Sequence, residues 1–77
     1  MSKQSIEDCV RKSLEKYFKD LDGERPHALY DMVILTVERP LLEFVMSQTD
    51  GNQSEASTLL GINRNTLRKK LQQHGLI

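Results

Sequence analysis

Near the C-terminal end of this 77-residue chain, side chains that bond to base edges and phosphates recur at close intervals: Asn52 and Ser54, then Asn63, Arg64, Asn65 and Thr66, then Arg68, Lys69 and Lys70. A guanidinium presents a fork that matches the O6/N7 edge of guanine, and a carboxamide matches the N6/N7 edge of adenine. Lysines and arginines one helical turn further on suit phosphates, which fix register without specifying sequence. Free N–H groups at a helix start beside Asn52 and Ser54 suit another phosphate. The competing reading is an ordinary helical hairpin with a solvated basic face. The grouping of donors at one helix start favours DNA over that.

Such side chains need two short helices to hold them, and the local signals supply both. Asn52 is a capping residue, and Glu55 three positions later completes an Asn version of the capping box. The helix that follows is expected to run to Leu60, with Ala56, Leu59 and Leu60 facing inward. Gly61-Ile62-Asn63 makes the turn. Asn63 caps a last helix to about His74, with Leu67 and Leu71 inward and Gly75 ending it. This is a helix-turn-helix, whose second helix carries its N-terminal residues into the major groove. The tail, Leu76 and Ile77, is expected to pack back on the body. His74 suits a helix end, where the dipole favours it.

Two longer helices precede this unit, so the chain reads as all-α, with four helices. The first spans about Ser5 to Leu21, with Ser5 as its cap and Ile6, Val10, Leu14, Tyr17, Phe18 and Leu21 in one stripe. Asp22–Gly23 ends it. The second is expected to start near Pro26, with His27 in its first turn, and to reach Gln48. Pro40 lies inside that span and predicts a kink in one bent helix. Of the 18 residues from Leu29 to Met46, 12 are apolar or Tyr. The polar Asp31, Thr36, Glu38, Arg39 and Glu43 crowd into one narrow sector, so most of this helix must be covered. One amphipathic helix and two short ones cannot do that. A second copy of the chain, with the second helices at the two-fold centre, is the expected cover, and a helix pair from a different partner is the alternative. Residues 1–51 thus read as dimerisation helices and 52–77 as the helix-turn-helix region of one structural domain.

Composition agrees. A chain of this length buries only about 60% of its unfolded surface, which makes a lone subunit marginal. Its single cysteine, Cys9, forbids an internal disulfide and leaves no thiolate metal cluster. Cys9 reads as a small buried hydrophobe. The net charge is zero, from 11 basic and 11 acidic residues, but the halves differ. Residues 1–51 hold seven basic and ten acidic side chains, a net of −3, and residues 52–77 hold four and one, a net of +3. Charges run throughout Met1 to Phe18, so no signal peptide is read there. The longest apolar stretch carries too many charges for a membrane span. A soluble, cytoplasmic protein is expected.

The stretch from Gly51 through Asn52-Gln53-Ser54-Glu55-Ala56 and Gly61-Ile62-Asn63-Arg64-Asn65-Thr66-Leu67-Arg68-Lys69-Lys70-Leu71 resembles the C-terminal region of the Fis family (factor for inversion stimulation). Further upstream, Val37-Glu38-Arg39-Pro40-Leu41-Leu42, Leu29-Tyr30 and Tyr17-Phe18 extend the resemblance over nearly the whole chain. These are bacterial nucleoid-associated, DNA-bending proteins. The resemblance implies a homodimer of four-helix subunits, intertwined around a proline-kinked core. It implies DNA contacts at Asn52, Ser54, Asn63, Arg64, Thr66, Arg68 and Lys69, with Arg64 the main base reader. It also implies that recognition helices too close for straight DNA bend it, so that sequence is read through deformability. Three departures stand out. Only Met1 to Gln4 precede the first helix, where members that activate DNA invertases carry a mobile arm, so recombinase activation is not expected. Gln72 and Gln73 stand where relatives often have lysines, and Asn65 replaces a common Gly. Contact with RNA polymerase or a recombinase is left open.

The expected function is therefore DNA binding and bending in nucleoid organisation and transcription regulation, with no cofactor and no metal. The alternatives are the output module of a sigma-54-dependent activator and a helical dimerisation adaptor without DNA binding. An enzyme is not expected: there is no Ser/His/Asp set, metal cluster or Gly-rich phosphate loop.

Overall fold

The computed structural model describes the backbone of residues 3–77 and the side chains of residues 5–77. Met1 and Ser2, part of the segment read as too short for an arm, lie outside the described residues. Four helices follow in order: α1 (Lys3–Asp20), α2 (Leu29–Gln48), α3 (Gln53–Leu60) and α4 (Arg64–Gln73). There is no strand among the described residues.

Helix α1 begins two residues before Ser5, so Ser5 lies inside the helix and is not its cap. Lys and Gln are good helix formers and carry the turn past it. The other end closes as expected: the Leu21 amide donates to the Tyr17 carbonyl at 3.1 Å, and Gly23 takes the left-handed conformation at φ 89°. The next helix starts at Leu29, not at Pro26. Ala28 sits at φ 51°, ψ 42°, a left-handed geometry that helical hydrogen bonding cannot pass through. Pro26 and His27 therefore belong to the connection, and His27 is not a first-turn residue.

Helix α2 is unbroken through Pro40, one helix and not two. Pro40 has no N–H to give the Thr36 carbonyl. The Thr36 hydroxyl turns back to the Met32 carbonyl at 2.7 Å. Thr49 closes the helix, its hydroxyl donating to the Val45 carbonyl at 3.0 Å. Asp50 and Gly51, at φ 51° and 81°, then reverse the chain.

The buried core is small and lies at one end of α2. Leu42, Ala56, Leu67 and Leu71, each at most 1% exposed, form one cluster from α2, α3 and α4. Val45, Met46, Leu60, Ile62 and Leu76 pack around it. Leu59, expected inward, is 63% exposed. On α3 the inward face is shared by Ala56, Ser57 and Leu60, and at 100° per residue Leu59 points away from it. Of the tail, Leu76 packs back, its amide on the Leu71 carbonyl at 2.8 Å, and Ile77 stays exposed.

The other end of the chain is open. Its extents are 44 × 27 × 17 Å. A helix with side chains is about 10–12 Å across, so the thinnest direction holds less than two layers. Tyr30, Ile34, Leu35, Val37, Leu41 and Phe44 of α2 are all exposed, Phe44 at 63%. Between α1 and the first half of α2 runs an apolar groove lined by Val10, Leu14, Tyr17, Met32, Val33 and Val37. Cys9 sits at that groove and is exposed in the single chain, so it is not the buried residue expected. No helix among the described residues is long and apolar enough to cross a membrane.

Leu71→Ala removes a side chain with no exposed surface and is expected to cost about 2–5 kcal/mol. Leu59→Ala should cost under ~0.5 kcal/mol. Urea denaturation of both variants checks the order.

Candidate nucleic-acid interface

Two capped helix starts face each other across a glycine turn. The Asn52 carboxamide oxygen accepts the Glu55 amide at 3.1 Å, which caps α3. The reciprocal half of the capping box is absent. The Asn52 amide donates instead to the Thr49 carbonyl at 3.0 Å, because the preceding turn already occupies it. The Glu55 carboxylate is left on the exposed side of α3. Gly61, at φ 72°, ends α3, and the amides of Gly61 and Ile62 both return to the Ser57 carbonyl. The Asn63 side chain then accepts the Asn65 amide at 2.7 Å, which caps α4.

This turn brings the start of α4 back to the start of α3. Arg64 Nη1 donates to Ser54 Oγ at 3.0 Å. Gly51, Asn52, Gln53, Ser54, Arg64, Asn65 and Arg68 line an open polar groove of about 500 Å³ between the two helix starts. Of the seven residues singled out in the sequence, Asn52, Ser54, Arg64 and Arg68 meet in this groove. Asn63, the cap of α4, and Thr66 and Lys69 on that helix lie outside it, exposed. Asn63 and Asn52 have their side-chain oxygens engaged in capping, which leaves their NH₂ groups as donors. Gln53 was missed by the sequence reading, and Asn65 entered it among the donors at the start of the last helix and as a departure from a common Gly, but not among the residues carried over as DNA contacts. Asn65 precedes Arg68 by three residues, so helical spacing alone could have placed it beside that cation.

The groove has a positive character set by its position as well as its residues. Arg64 and Arg68 are both exposed and lie within the first turns of α4. The amides at each helix start and the helix dipole add to that field. The groove can hold two or more oxygens of an anion, with guanidinium donors free to turn outward from Ser54.

Lys70 does not join this face. Its Nζ donates to Glu38 Oε2 of α2 at 2.8 Å. On α4 it flanks Leu67 and Leu71 on the inward side, so its charge type suggested a phosphate where its position gives it a carboxylate. His74, with a side chain 7% exposed, lies 2.9 Å from the other oxygen of the same carboxylate through Nε2. An ionised carboxylate only accepts, so Nε2 carries the hydrogen. His74 is also the C-terminal cap position of α4, and Arg39 Nη1 donates to its carbonyl at 2.5 Å. Arg39 further pairs with Glu43 at 3.8 Å. The hydrogen bond from Lys70 holds the Glu38 carboxyl below the ordinary glutamate range. Desolvation opposes this, and the bond to His74 and both neighbouring charges reinforce it.

Residues 35–74, just over half of the chain, match the family described as bacterial regulatory protein, Fis family. The chain belongs to the Fis family. It is similar over its full 77 residues to a Fis-like DNA-binding protein of Ralstonia nicotianae, 62% identical and matched over 100% of that protein. A Fis-like DNA-binding protein of Neisseria meningitidis is 62% identical over 72 residues, 94% of this chain and 91% of the relative. The DNA-binding protein Fis of Pasteurella multocida is 45% identical over 76 residues, 99% of this chain and 77% of that one. The Fis-family segment starts on α2 and ends at His74, so it contains both the polar groove and the Glu38 cluster.

Because its carboxyl is held below the ordinary range, Glu38 contributes stability that is complete above the unfolded glutamate pKa. That contribution is lost as pH falls through the lowered folded value. Urea midpoints measured from pH 7 down to pH 3 should therefore show wild type above Glu38→Gln at neutral pH, with the difference shrinking towards zero on acidification.

Proposed function

We propose that this Fis-family chain binds double-stranded DNA as a homodimer, with α4 in the major groove, and bends it. The observation that carries the reading is the groove joining Asn52, Ser54, Arg64 and Arg68 at two capped helix starts. Arg64 reads a base edge, and releasing Ser54 costs it one hydrogen bond that base or phosphate oxygens replace. Asn63 and Thr66 approach the same bases. Arg68 and Lys69 hold phosphates on one side, and Asn52 and Ser54 hold them at the start of α3. The relatives from Ralstonia, Neisseria and Pasteurella carry DNA binding in their names, which supports the same activity here.

The uncovered apolar face of α1 and α2 supports the dimer. Large contiguous apolar patches on small proteins mark partner surfaces, and burying each large apolar side chain is worth about 1.5–3 kcal/mol. Residues 1–51 form the dimerising part and 52–77 the DNA-binding part, with Leu42 of α2 linking the two. The kink at Pro40, together with the shared centre of the two α2 helices, sets one fixed separation of the two α4 helices. Where that separation falls short of the roughly 34 Å between successive major grooves, the DNA bends and its deformability is read. The role that follows is nucleoid organisation and transcription regulation in the bacterial cytoplasm.

Arg64→Ala should keep wild-type stability and lose about 1–3 kcal/mol of binding on a preferred site in a gel shift at fixed salt. Unchanged or absent DNA affinity in both proteins would favour a dimerisation adaptor. Phe44→Asp places an unpaired charge on the surface the second copy covers. Sedimentation should show that variant without a folded dimer, and a dimer of wild-type affinity would remove α2 from the interface.

A further inference from the structure

The core around Leu42, Leu67 and Leu71 holds α4 by hydrophobic contact, which is non-directional and tolerates rotation. Directional bonds are supplied by two consecutive residues of α2. Glu38, with a side chain 13% exposed, accepts from Lys70 at 2.8 Å and from His74 at 2.9 Å, and Arg39 donates to the His74 carbonyl. Charge-assisted bonds of this kind are short and geometrically strict. They grip α4 at its last turn, while Arg64 stands at its first. Ten residues of helix make a lever of roughly 15 Å, so a tilt of about 10° at His74 moves the Arg64 end by roughly 2.6 Å. That displacement exceeds what a bidentate contact with a base tolerates.

We infer that Glu38 is a positioning residue for DNA reading: anchored one turn before Leu42 on α2, it fixes the roll and tilt of α4 through Lys70 and His74 and so aims Arg64, without touching DNA itself. The inference rests on the DNA-binding reading above. Lys70 in this arrangement is a strut and is withheld from phosphates. Discrimination between sequences depends on Glu38, and attraction to the backbone does not.

The test compares two duplexes, one selected from a random-sequence pool by the wild-type protein and one of unselected sequence, each titrated across a salt series. Glu38→Ala should remain a dimer by sedimentation and, with Lys70 released, bind the unselected duplex no more weakly than wild type and with a salt slope no shallower. On the selected duplex it should bind about tenfold more weakly. A variant with undiminished preference for the selected duplex overturns the inference. So does a parallel loss on both duplexes, which would mark its effect on binding as a loss of folded protein and not of aim. A shallower salt slope would mean that phosphate contacts are lost together with the carboxylate, and also overturns it. Lys70→Met and His74→Phe each remove one donor to Glu38, and decide the matter if Glu38→Ala does not fold: full discrimination in both overturns the inference. A wild type that binds neither duplex overturns the DNA reading and this inference together. A discriminating wild type beside an equally discriminating variant overturns this inference alone.

Discussion

One helix closes a core at one end and stands open at the other. The second half of α2 gives Leu42 to the cluster formed with Ala56, Leu67 and Leu71, and this is the only fully buried apolar cluster among the described residues. The rest of α2 is apolar and open, faced on one side by α1 across a groove. A chain of 77 residues has too little mass to close both surfaces by itself. Every larger feature follows from this shortage. The helix-turn-helix borrows its floor from α2, and the remainder of α2 stays apolar and exposed.

The polar residues sort according to the same division. Those at the starts of α3 and α4 face outward into a shared groove, where Asn52 and Asn63 each hold one backbone amide, that of Glu55 and that of Asn65. Those on the inward flank of α4 are bound to α2 through Glu38 and Arg39. Cations of the same type on one ten-residue helix thus have opposite assignments. Arg64 and Arg68 remain available, and Lys70 is neutralised internally. The formal charge of the C-terminal part overstates what it presents to a polyanion by one unit.

Local chemistry was legible in the sequence, and long-range pairing was not. Asn52, Gly61 and Asn63 announce their turns because capping and left-handed backbone are properties of the residue itself, and α3 and α4 lie where those signals put them. Leu67 and Leu71 were readable as core because they are apolar at helical spacing. Leu59 was misread because apolarity was counted without its angle on the helix. The start of α2 was misread because Pro26 is compatible with a first turn, while the left-handed Ala28 that displaces it has no signature in its residue type. Lys70 and His74 lie 32 and 36 residues from Glu38, and nothing in the composition of either segment joins them. Of the groove, the asparagines, Ser54 and the arginines were foreseen, and their meeting through Arg64 and Ser54 was not.

The two ends of α2 are fastened by forces of different thermal character. The ion pairs of α1, Arg11 with Asp8 and Lys16 with Asp20, both run within that helix. What faces α2 across the groove is hydrocarbon, whose attraction fades on cooling. The junction of α4 with α2 also holds a buried apolar cluster, and Glu38 adds charged hydrogen bonds that do not rest on apolar hydration. Chilling therefore weakens the seat of the N-terminal helix, which is hydrocarbon alone, more than that of the C-terminal pair, which keeps its charged bonds beside its apolar cluster.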